Sequence, residues 1–287
     1  MGGWSWTHAL KSTEVFPKRE NCSSILDSLT IKIHGQPSLI QTSNEEILLC
    51  GGSTFLEVNA KKCFVYKGDK WSEHSDHTYG RKYASAVSMQ DGIYIFGGDT
   101  STWEWLPSGT NQWQIGSTSF SNPWDGCAVK INDNEILLIS GRLPFKEMKF
   151  NTNTKNFTKL GQVLNLWRTD HSCTRFEDKI IVTGGRSSIF AASSSTKIID
   201  LNNLSKARNA GNLVQARHNH GLVVVHVDKQ PTVLAVGGEY YDGGWIYLDS
   251  IEMWNPTTET WTMTSMKLTE PKEQFGILSL PTRLLCP

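Results

Sequence analysis

Two pairs of histidines are spaced so that they could bind a metal ion. His74 and His77 are separated by two residues, and His218 and His220 by one. Residues i and i+2 of a strand share a face, so the second pair could chelate an ion together. A structural zinc site needs four ligands, and no other Cys or His pair stands at a plausible spacing. We therefore predict no metal and no cofactor, and we interpret His74 and His77 as part of a solvated loop.

The sequence contains no familiar catalytic motif. It has no HExxH, no nucleophile elbow and no glycine-rich phosphate loop. Its glycine pairs end apolar runs and do not open helices. We therefore predict that the chain is not an enzyme and has no catalytic residues.

The cysteines indicate the redox environment. Six occur, at positions 22, 50, 63, 127, 173 and 286, without a C-x-x-C pair. Most of them fall inside runs that predict strands. Cytosolic disulfides are rare, so buried reduced thiols are the favoured interpretation.

The sequence carries no recognisable targeting signal. The N-terminus has neither the features of a signal peptide nor the myristoylation pattern. No run of 18 apolar residues is present. These observations predict a cytoplasmic protein without a membrane partner. Three N-x-S/T sequons, at Asn21, Asn156 and Asn203, have a meaning only if the chain is secreted.

The charge balance bears on the class of partner. Lys plus Arg number 28 and Asp plus Glu number 28, with a pI near 7.1. Nucleic-acid-binding proteins usually carry a basic excess or a basic stripe. We therefore predict no nucleic-acid partner.

The elements that must position these residues are short β-hairpins. Ile93–Phe96 is an apolar run that ends on Gly97-Gly98, and Ala84–Met89 is a second β-rich run before it. The turn between them is Asp91-Gly92, which is among the strongest short hairpin signals.

The same unit recurs along the chain. Apolar runs end on a small residue at 51, 97, 140, 184 and 237, so the steps are 46, 43, 44 and 53 residues. Four of the five units continue with a spaced pair of bulky aromatic residues; the fourth has no tryptophan near Ala207. Three units open with arginine, at Arg81, Arg168 and Arg217. Such a period is the mark of a repeat architecture.

This order of strands, glycines and tryptophans resembles the Kelch repeat of β-propellers, over about residues 31–287. The resemblance implies an all-β fold in which four antiparallel strands form one twisted blade. Blades then stack around a central channel because a single blade cannot bury both of its faces. The repeated glycines and tryptophans are expected to serve this packing.

We predict a six-bladed propeller forming a single domain, residues 1–287. Five units are complete in the sequence. Phe275–Leu280 and Arg283–Cys286 resemble the first two strands of a sixth blade. About residues 1–30 would supply its remaining strands beside residues 272–287, and such closure removes exposed sheet edges.

The resemblance implies a binding face formed by the loops between blades and those between the second and third strands of a blade. The unit-opening residues there are mostly basic and include Asn122 and Lys272. Arginine binds carboxylates and phosphate through two hydrogen bonds, and Tyr, Trp and Arg are frequent in binding hot spots. Alternatively, the arginines hold neighbouring loops through carbonyl and carboxylate groups. The predicted partner-binding residues are His34, Arg81, Tyr83, Trp124, Arg168, Arg186, Phe190, Arg217, Tyr240, Tyr241 and Trp245.

Two functions remain open. The chain resembles the substrate-recruiting Kelch domains of ubiquitin-ligase adaptors, although it contains no BTB or F-box domain. This implies a monomeric scaffold for a protein or peptide, with an acidic or phosphorylated segment as the candidate ligand. Resemblance to galactose oxidase and sialic-acid mutarotase implies instead an enzyme for a carbohydrate or small molecule, but the copper ligands of such an oxidase cannot be mapped onto this sequence. A binder should expose aromatic residues on an open face, whereas an enzyme should hold a group of shifted pKa in a deep pocket.

Overall fold

The protein is built from antiparallel β-strands. The computed structural model describes residues 36–42, 46–53, 61–67, 70–98, 100–117, 126–139, 147–164, 168–188 and 190–279, and the backbone of two short N-terminal strands. Those strands, β1 (Trp4–Ser5) and β2 (His8–Ala9), pair with each other. Within the described ranges no helix is long and apolar enough to cross a membrane.

Five four-stranded sheets follow one another along the chain, and each corresponds to one predicted repeat. Within a sheet the strands lie in chain order, and we name them a to d. The first three blades are β3 (Ser38–Gln41), β4 (Ile47–Cys50), β5 (Cys63–Lys67) and β6 (Lys70–His74); β7 (Ala84–Met89), β8 (Gly92–Gly97), β9 (Thr102–Pro107) and β10 (Gln114–Ser117); and β11 (Cys127–Asn132), β12 (Glu135–Ile139), β13 (Glu147–Asn151) and β14 (Asn156–Gly161).

Blades four and five each carry an extra hairpin in the loop between strands b and c. Blades four and five therefore have six strands each, of which four join the main sheet and two form the extra hairpin. They are β15 (Ser172–Phe176), β16 (Lys179–Thr183), β17 (Arg186–Ser188), β18 (Ala191–Ala192), β19 (Thr196–Asp200) and β20 (Asn203–Ala210); and β21 (Gly221–Val227), β22 (Gln230–Val236), β23 (Glu239–Tyr241), β24 (Trp245–Tyr247), β25 (Ser250–Asn255) and β26 (Thr260–Lys267).

The alternating strand direction gives the propeller two distinct faces. The a–b and c–d connections lie on one side, which we call the turn face. The d–a and b–c connections lie on the other, which we call the loop face. The extra hairpins β17–β18 and β23–β24 are b–c insertions and therefore belong to the loop face.

Neighbouring blades share apolar clusters. Between blades two and three, Tyr94 and Phe96 pack against Phe150 with ring centroids 5.6 and 5.2 Å apart. Between blades four and five, Trp254 and Trp261 stack 5.1 Å apart, and this confirms the predicted tryptophan wedge for strand d of blade five. Burial of such large apolar plates supplies most of the energy that holds blades together.

The a-strands approach one another at the centre of the ring. Strand β7 contacts β3 and β11, and β15 contacts β11 and β21. A cavity of ≈ 360 Å³ lies between the a-strands of blades two, three and four. It is lined by Ala86, Val87, Ser88, Ala128, Val129, Lys130, Cys173, Thr174 and Arg175.

In blades one and four, the glycine pair links the blade to the opening of the next unit. The Gly52 N–H donates to the Arg81 carbonyl at 2.7 Å, and the Gly185 N–H to the Arg217 carbonyl at 2.9 Å. Both glycines of a pair have positive φ, a conformation that other residues adopt only with strain. The predicted role of the glycines in sharp turns and close approach is therefore confirmed.

The pattern continues beyond blade five. The Gly238 N–H donates to the Lys272 carbonyl at 2.9 Å, as if Lys272 opened a further unit. Phe275 packs into the core of blade five, and Leu278 packs against blade one. Residues 275–279 do not form the predicted strand, and the rest of the predicted closing blade falls on residues outside the described ranges.

Candidate functional site

The three arginines that open repeats occupy equivalent positions inside the blades. Arg81, Arg168 and Arg217 are only 1%, 3% and 0% exposed. In each case Nη1 donates to the carbonyl of the first glycine of the same blade, at 2.8, 2.9 and 2.7 Å. The guanidinium therefore ties the d–a connection to the end of strand b.

Each guanidinium also binds the start of strand c. Arg81 and Arg217 meet a carboxylate there: Arg81 Nη2 lies 2.8 Å from Glu104, and Arg217 Nη2 lies 2.7 Å from Glu252. In blade four, Lys197 stands at the corresponding position. Arg168 binds the Ser195 hydroxyl at 2.6 Å instead.

These glutamates were not identified from the sequence. Besides the guanidinium, Glu252 accepts hydrogen bonds from the backbone N–H groups of Val214 and Gln215. The available signal was a repeated Ser/Thr-x-Glu at the start of strand c, as in Thr102–Glu104 and Ser250–Glu252. This motif has no meaning without the arginine that lies beside it in space.

The prediction that these arginines contact a partner is therefore corrected. Their donors point into the protein, and burial leaves no guanidinium surface for a ligand. The alternative interpretation, in which they hold neighbouring loops through carbonyl and carboxylate groups, describes Arg81 and Arg217. Arg168 does the same through two carbonyl groups and the Ser195 hydroxyl. Lys272 is buried as well.

Among the described residues, those two positions after a unit opening share one backbone conformation and lie on the loop face. Gln36, Tyr83, Asp170, Asn219 and Gln274 all have φ between 51° and 59°. The Asn219 N–H donates to the Asp170 carbonyl, the Gln274 N–H to Asn219, and the Gln36 N–H to Gln274, at 2.9, 3.1 and 3.1 Å. Successive blades are thus joined by a chain of backbone hydrogen bonds.

Buried carboxyl groups surround one part of this chain of hydrogen bonds. Asn219 Nδ2 donates to Glu239 at 3.0 Å and to Glu273 at 2.9 Å. Burial and the adjacent Glu239 carboxylate raise the pKa of Glu273 well above its usual value. Asp170 is ion-paired with Arg186. Carboxyl groups therefore lie at this part of the loop face, where the sequence predicted mostly basic residues.

The histidines near this part of the loop face are buried and neutral. Burial lowers the pKa of His218 to about 3, with the Arg186 charge adding to the effect. The His220 ring lies 2.8 Å from the Thr183 hydroxyl, so its Nε2 is engaged in a hydrogen bond. The two histidines predicted from i and i+2 spacing thus have separate surroundings.

An aromatic cluster projects from the two extra hairpins. Phe190, in the β17–β18 turn, lies 4.8 Å from the Tyr241 ring, and Tyr241 lies 5.4 Å from the Trp245 ring. Phe190 is 60% exposed and Tyr241 36%. Hairpins of neighbouring blades thus build one exposed apolar surface on the loop face, which we call the aromatic cluster (Phe190, Tyr241 and Trp245).

The remaining predicted site residues divide into three groups. Tyr83 is half-buried and its hydroxyl donates to the Gln274 side chain at 3.2 Å. Tyr240 is half-buried in β23, next to the aromatic cluster. His34 and Trp124, like Asn122, lie outside the described residues.

The cysteines differ from the prediction of reduced thiols. Cys50 is bonded to Cys63 across strands b and c of blade one, and Cys127 to Cys173 across the a-strands of blades three and four. His77 lies close to the first pair, and the three side chains would suit a metal ion if the sulfurs were thiolates. In the disulfide they are not ligands.

Comparison with known proteins supports the architecture. No family model matches the chain. Kelch-like protein 35 of Mus musculus is 25% identical over 144 residues, which span 50% of this chain and 25% of the mouse protein. The solved structure of YjhT superposes with a TM-score of 0.70 at 11% identity, covering 87% of this chain and 89% of that one.

The resemblance to Kelch-repeat propellers is confirmed. A copper-bound fungal alcohol oxidase of the AA5 family also superposes on this propeller, with a TM-score of 0.63 at 17% identity over 84% of this chain and 55% of that one. At such identities the two structures show the fold alone. The chain spans only a quarter of the mouse relative, so that protein's activity does not transfer to it.

Proposed function

We propose that this Kelch-like propeller is a binding module for a protein or peptide, which it holds on the loop face at the aromatic cluster. The observation that carries the proposal is the contact between Phe190 and Tyr241, two exposed rings from different blades. Folding does not need to expose such rings side by side. Aromatic residues on a rigid scaffold are the usual anchors of protein recognition.

The charges around the cluster favour a partner with an apolar segment. Arg186, which begins β17, is already paired with Asp170. Arg217 and Arg168 are buried. The acidic or phosphorylated ligand inferred from the sequence therefore stays a prediction, and apolar contact with the rings is the primary attraction that we propose.

The test removes the rings without touching the blade cores. The purified chain, with Phe190→Ala and Tyr241→Ser combined, is compared with wild type in a pull-down followed by quantitative mass spectrometry. For proteins that bind through the aromatic cluster, the amount recovered with the variant is expected to be at least tenfold lower than with wild type. Calorimetry on each recovered partner then measures the affinity directly.

A matched control uses an exposed apolar residue elsewhere. Val227 lies at the a–b turn of blade five, on the turn face, and is 39% exposed. Val227→Ser should retain every partner. Partners that bind wild type and the double variant equally would contradict the proposed site.

A second candidate function is supported by a buried group of carboxyl and carboxamide side chains on the loop face. Glu273, Glu239 and Asn219 form a buried polar group with a shifted pKa, and such groups often mark sites that bind or convert small molecules. Under this function the ligand would be a hydroxyl-rich small molecule such as a monosaccharide. Ligand-detected NMR with a monosaccharide panel tests it, because Asn219→Ala should abolish binding whereas the exposed control Glu177→Gln should not.

We also propose that the propeller has six blades and is one domain over residues 1–287. Support comes from Lys272, whose carbonyl accepts a hydrogen bond from the second glycine of the preceding blade. The carbonyls of Arg81 and Arg217 accept the same hydrogen bond in other units. Gln274 then bonds Asn219 of blade five on one side and Gln36 of blade one on the other. A unit that lies between the fifth and first blades is the sixth member of the ring.

A further inference from the structure

The disulfides change the interpretation of the cellular environment. Every cysteine in the described residues is oxidised, in the pairs Cys50–Cys63 and Cys127–Cys173. The second bridge joins two blades, with Cα atoms 6.0 Å apart and 46 residues between them in sequence. Reducing compartments keep such pairs as thiols, whereas the secretory pathway oxidises them.

Two of the three sequons lie at equivalent places in neighbouring blades. Asn156 begins strand d of blade three, and Asn203 begins strand d of blade four. Both side chains are exposed, as are the hydroxyl residues of their sequons, Thr158 and Ser205. The third sequon, at Asn21, lies outside the described residues.

In the sequon at Asn203, the serine hydrogen-bonds to the asparagine side chain. Its Oδ1 accepts hydrogen bonds from the Ser205 N–H at 3.2 Å and from the Ser205 hydroxyl at 2.6 Å. Both bonds use the oxygen, so the amide nitrogen, which is the atom that a glycan would modify, faces away from them. No packing of the blade core involves this side chain.

We propose that Asn156 and Asn203 are N-glycosylation sites of a chain that acquires its disulfides in the secretory pathway. The carboxamide nitrogen would attack the anomeric carbon of a lipid-linked oligosaccharide diphosphate, forming an N–C bond as the C–O bond to the diphosphate breaks and one N–H proton is lost. Each disulfide forms as two thiols give two electrons and two protons to the disulfide of a thiol oxidoreductase. This location replaces the cytoplasmic one predicted from the sequence.

Both sites lie where glycans would not block recognition. Strand d starts at the c–d connection, so Asn156 and Asn203 belong to the turn face. The aromatic cluster lies on the loop face. Two glycans would therefore cover adjacent blades on one side and leave the proposed binding surface open.

Blade five provides an internal control. Asn255 occupies the same c–d connection and is equally exposed, but its sequence is Asn255-Pro256-Thr257. Proline in the middle position excludes glycosylation. If exposure at this connection were enough, Asn255 would be modified as well.

The test expresses the full chain behind a secretory leader in insect cells. Glycan removal by peptide N-glycosidase in ¹⁸O-water, followed by mass spectrometry, is expected to convert Asn156 and Asn203 to labelled Asp and to leave Asn255 unchanged. Thr158→Ala and Ser205→Ala should each abolish labelling at one site only. Peptide mapping without reductant should recover both disulfide-linked peptide pairs.

Three outcomes would overturn the proposal. The first is secretion of folded protein with both asparagines unmodified. The second is recovery of Cys50, Cys63, Cys127 and Cys173 as free thiols in the secreted protein. The third is stoichiometric zinc bound with reduced Cys50 and Cys63, which would indicate that these residues and His77 form a metal site in place of the disulfide.

Discussion

Arg217 illustrates how charged residues are used in this protein. It is completely enclosed and binds the Gly237 carbonyl, the Ser250 hydroxyl and the Glu252 carboxylate. A buried charge is tolerated only when its partners replace water. The arginine therefore holds three segments of blade five together. Its removal should lower the stability of the fold and should not act directly on a ligand.

We predict that Arg217→Met lowers the free energy of unfolding by about 3–5 kcal/mol, because it leaves the Glu252 carboxylate buried without its cation. Urea unfolding followed by tryptophan fluorescence measures this change. The matched control is Arg208→Met, since Arg208 is half-exposed and paired with Glu259 at 2.5 Å. Arg208→Met should lower the free energy of unfolding by less than about 1 kcal/mol. Similar losses for both variants would contradict a structural role specific to Arg217.

His77 should make stability depend on pH. Its ring packs on Trp113 at 4.5 Å, and burial lowers its pKa to about 4. The unfolded chain binds a proton near pH 6.5 while the folded protein does not, so stability falls as pH decreases from 6.5 toward 4. Between pH 7 and pH 5 this one residue should remove about 2 kcal/mol.

The measurement compares unfolding of wild type and His77→Phe at pH 7 and pH 5. The phenylalanine variant keeps an aromatic ring against Trp113 but cannot bind a proton, so its loss over this range should be smaller by about 2 kcal/mol. The exposed His226 supplies the control, and His226→Asn should retain the wild-type slope. An unchanged slope in His77→Phe would show that this ring is not the responsible group.

At the scale of elements, the Gly-Gly turn joins each blade to its neighbour. Gly238 has φ +93°, and a Cβ atom built there would lie 2.6 Å from the His218 carbonyl oxygen. The positive φ requires glycine at position 238, and the lack of space for a Cβ atom is a second, independent reason. This explains why the pairs recur in phase although the loops that follow them vary.

We predict a graded series of three alanine substitutions. Gly244 has open space and no positive φ, Gly109 has φ +76° and open space, and Gly238 combines positive φ with the clash. Gly244→Ala should be nearly neutral, Gly109→Ala should cost about 1–2 kcal/mol, and Gly238→Ala roughly 2–4 kcal/mol. Thermal unfolding of the three variants gives the order, and equal losses at Gly109 and Gly238 would exclude the steric contribution.

The hairpins themselves were predictable because their signals are local. Asp91-Gly92 between two β-rich runs formed the predicted hairpin β7–β8. Strand d of blade four, which lacks a tryptophan, still forms β20 over eight residues because Ala207 and Leu204 pack into the cluster between blades three and four. A pattern based on tryptophan could not identify a strand whose apolar contacts are supplied by small residues.

At the scale of the whole molecule, residues 275–278 connect the last complete blade to the first. Phe275 packs with Leu234 and Val236 of blade five. A Cβ atom added at Gly276 would lie 2.6 Å from the Cβ of Leu39 in blade one, so the backbone passes close to that blade. The segment therefore lies between the fifth blade and the first, as the proposed six-bladed ring requires.

We predict that Phe275→Ala lowers the unfolding free energy by about 3–5 kcal/mol, as expected for a large core residue whose loss leaves a cavity. Phe190→Ala removes the same side chain from an exposed position and should change stability by less than about 0.5 kcal/mol. Chemical denaturation measures the unfolding free energy of both variants. If Phe275→Ala were as mild as Phe190→Ala, residue 275 would not belong to the closing core.

The sequence by itself determined the repeat, the four-stranded antiparallel blades and the loops in which Phe190, Tyr241 and Trp245 lie. These features depend on strand periodicity, turn residues and glycine φ, all of which act within a few residues. Only the tertiary structure decided that the arginines point inward, that Asn219 meets Glu273 54 residues away, and that Cys127 reaches Cys173. The Asn219–Glu273 contact and the Cys127–Cys173 bridge join separate repeats, whereas each arginine joins segments of its own blade that lie 16 to 35 residues apart in sequence. The distances in all of these contacts are set by packing between segments that are remote in sequence, and no local pattern encodes that packing.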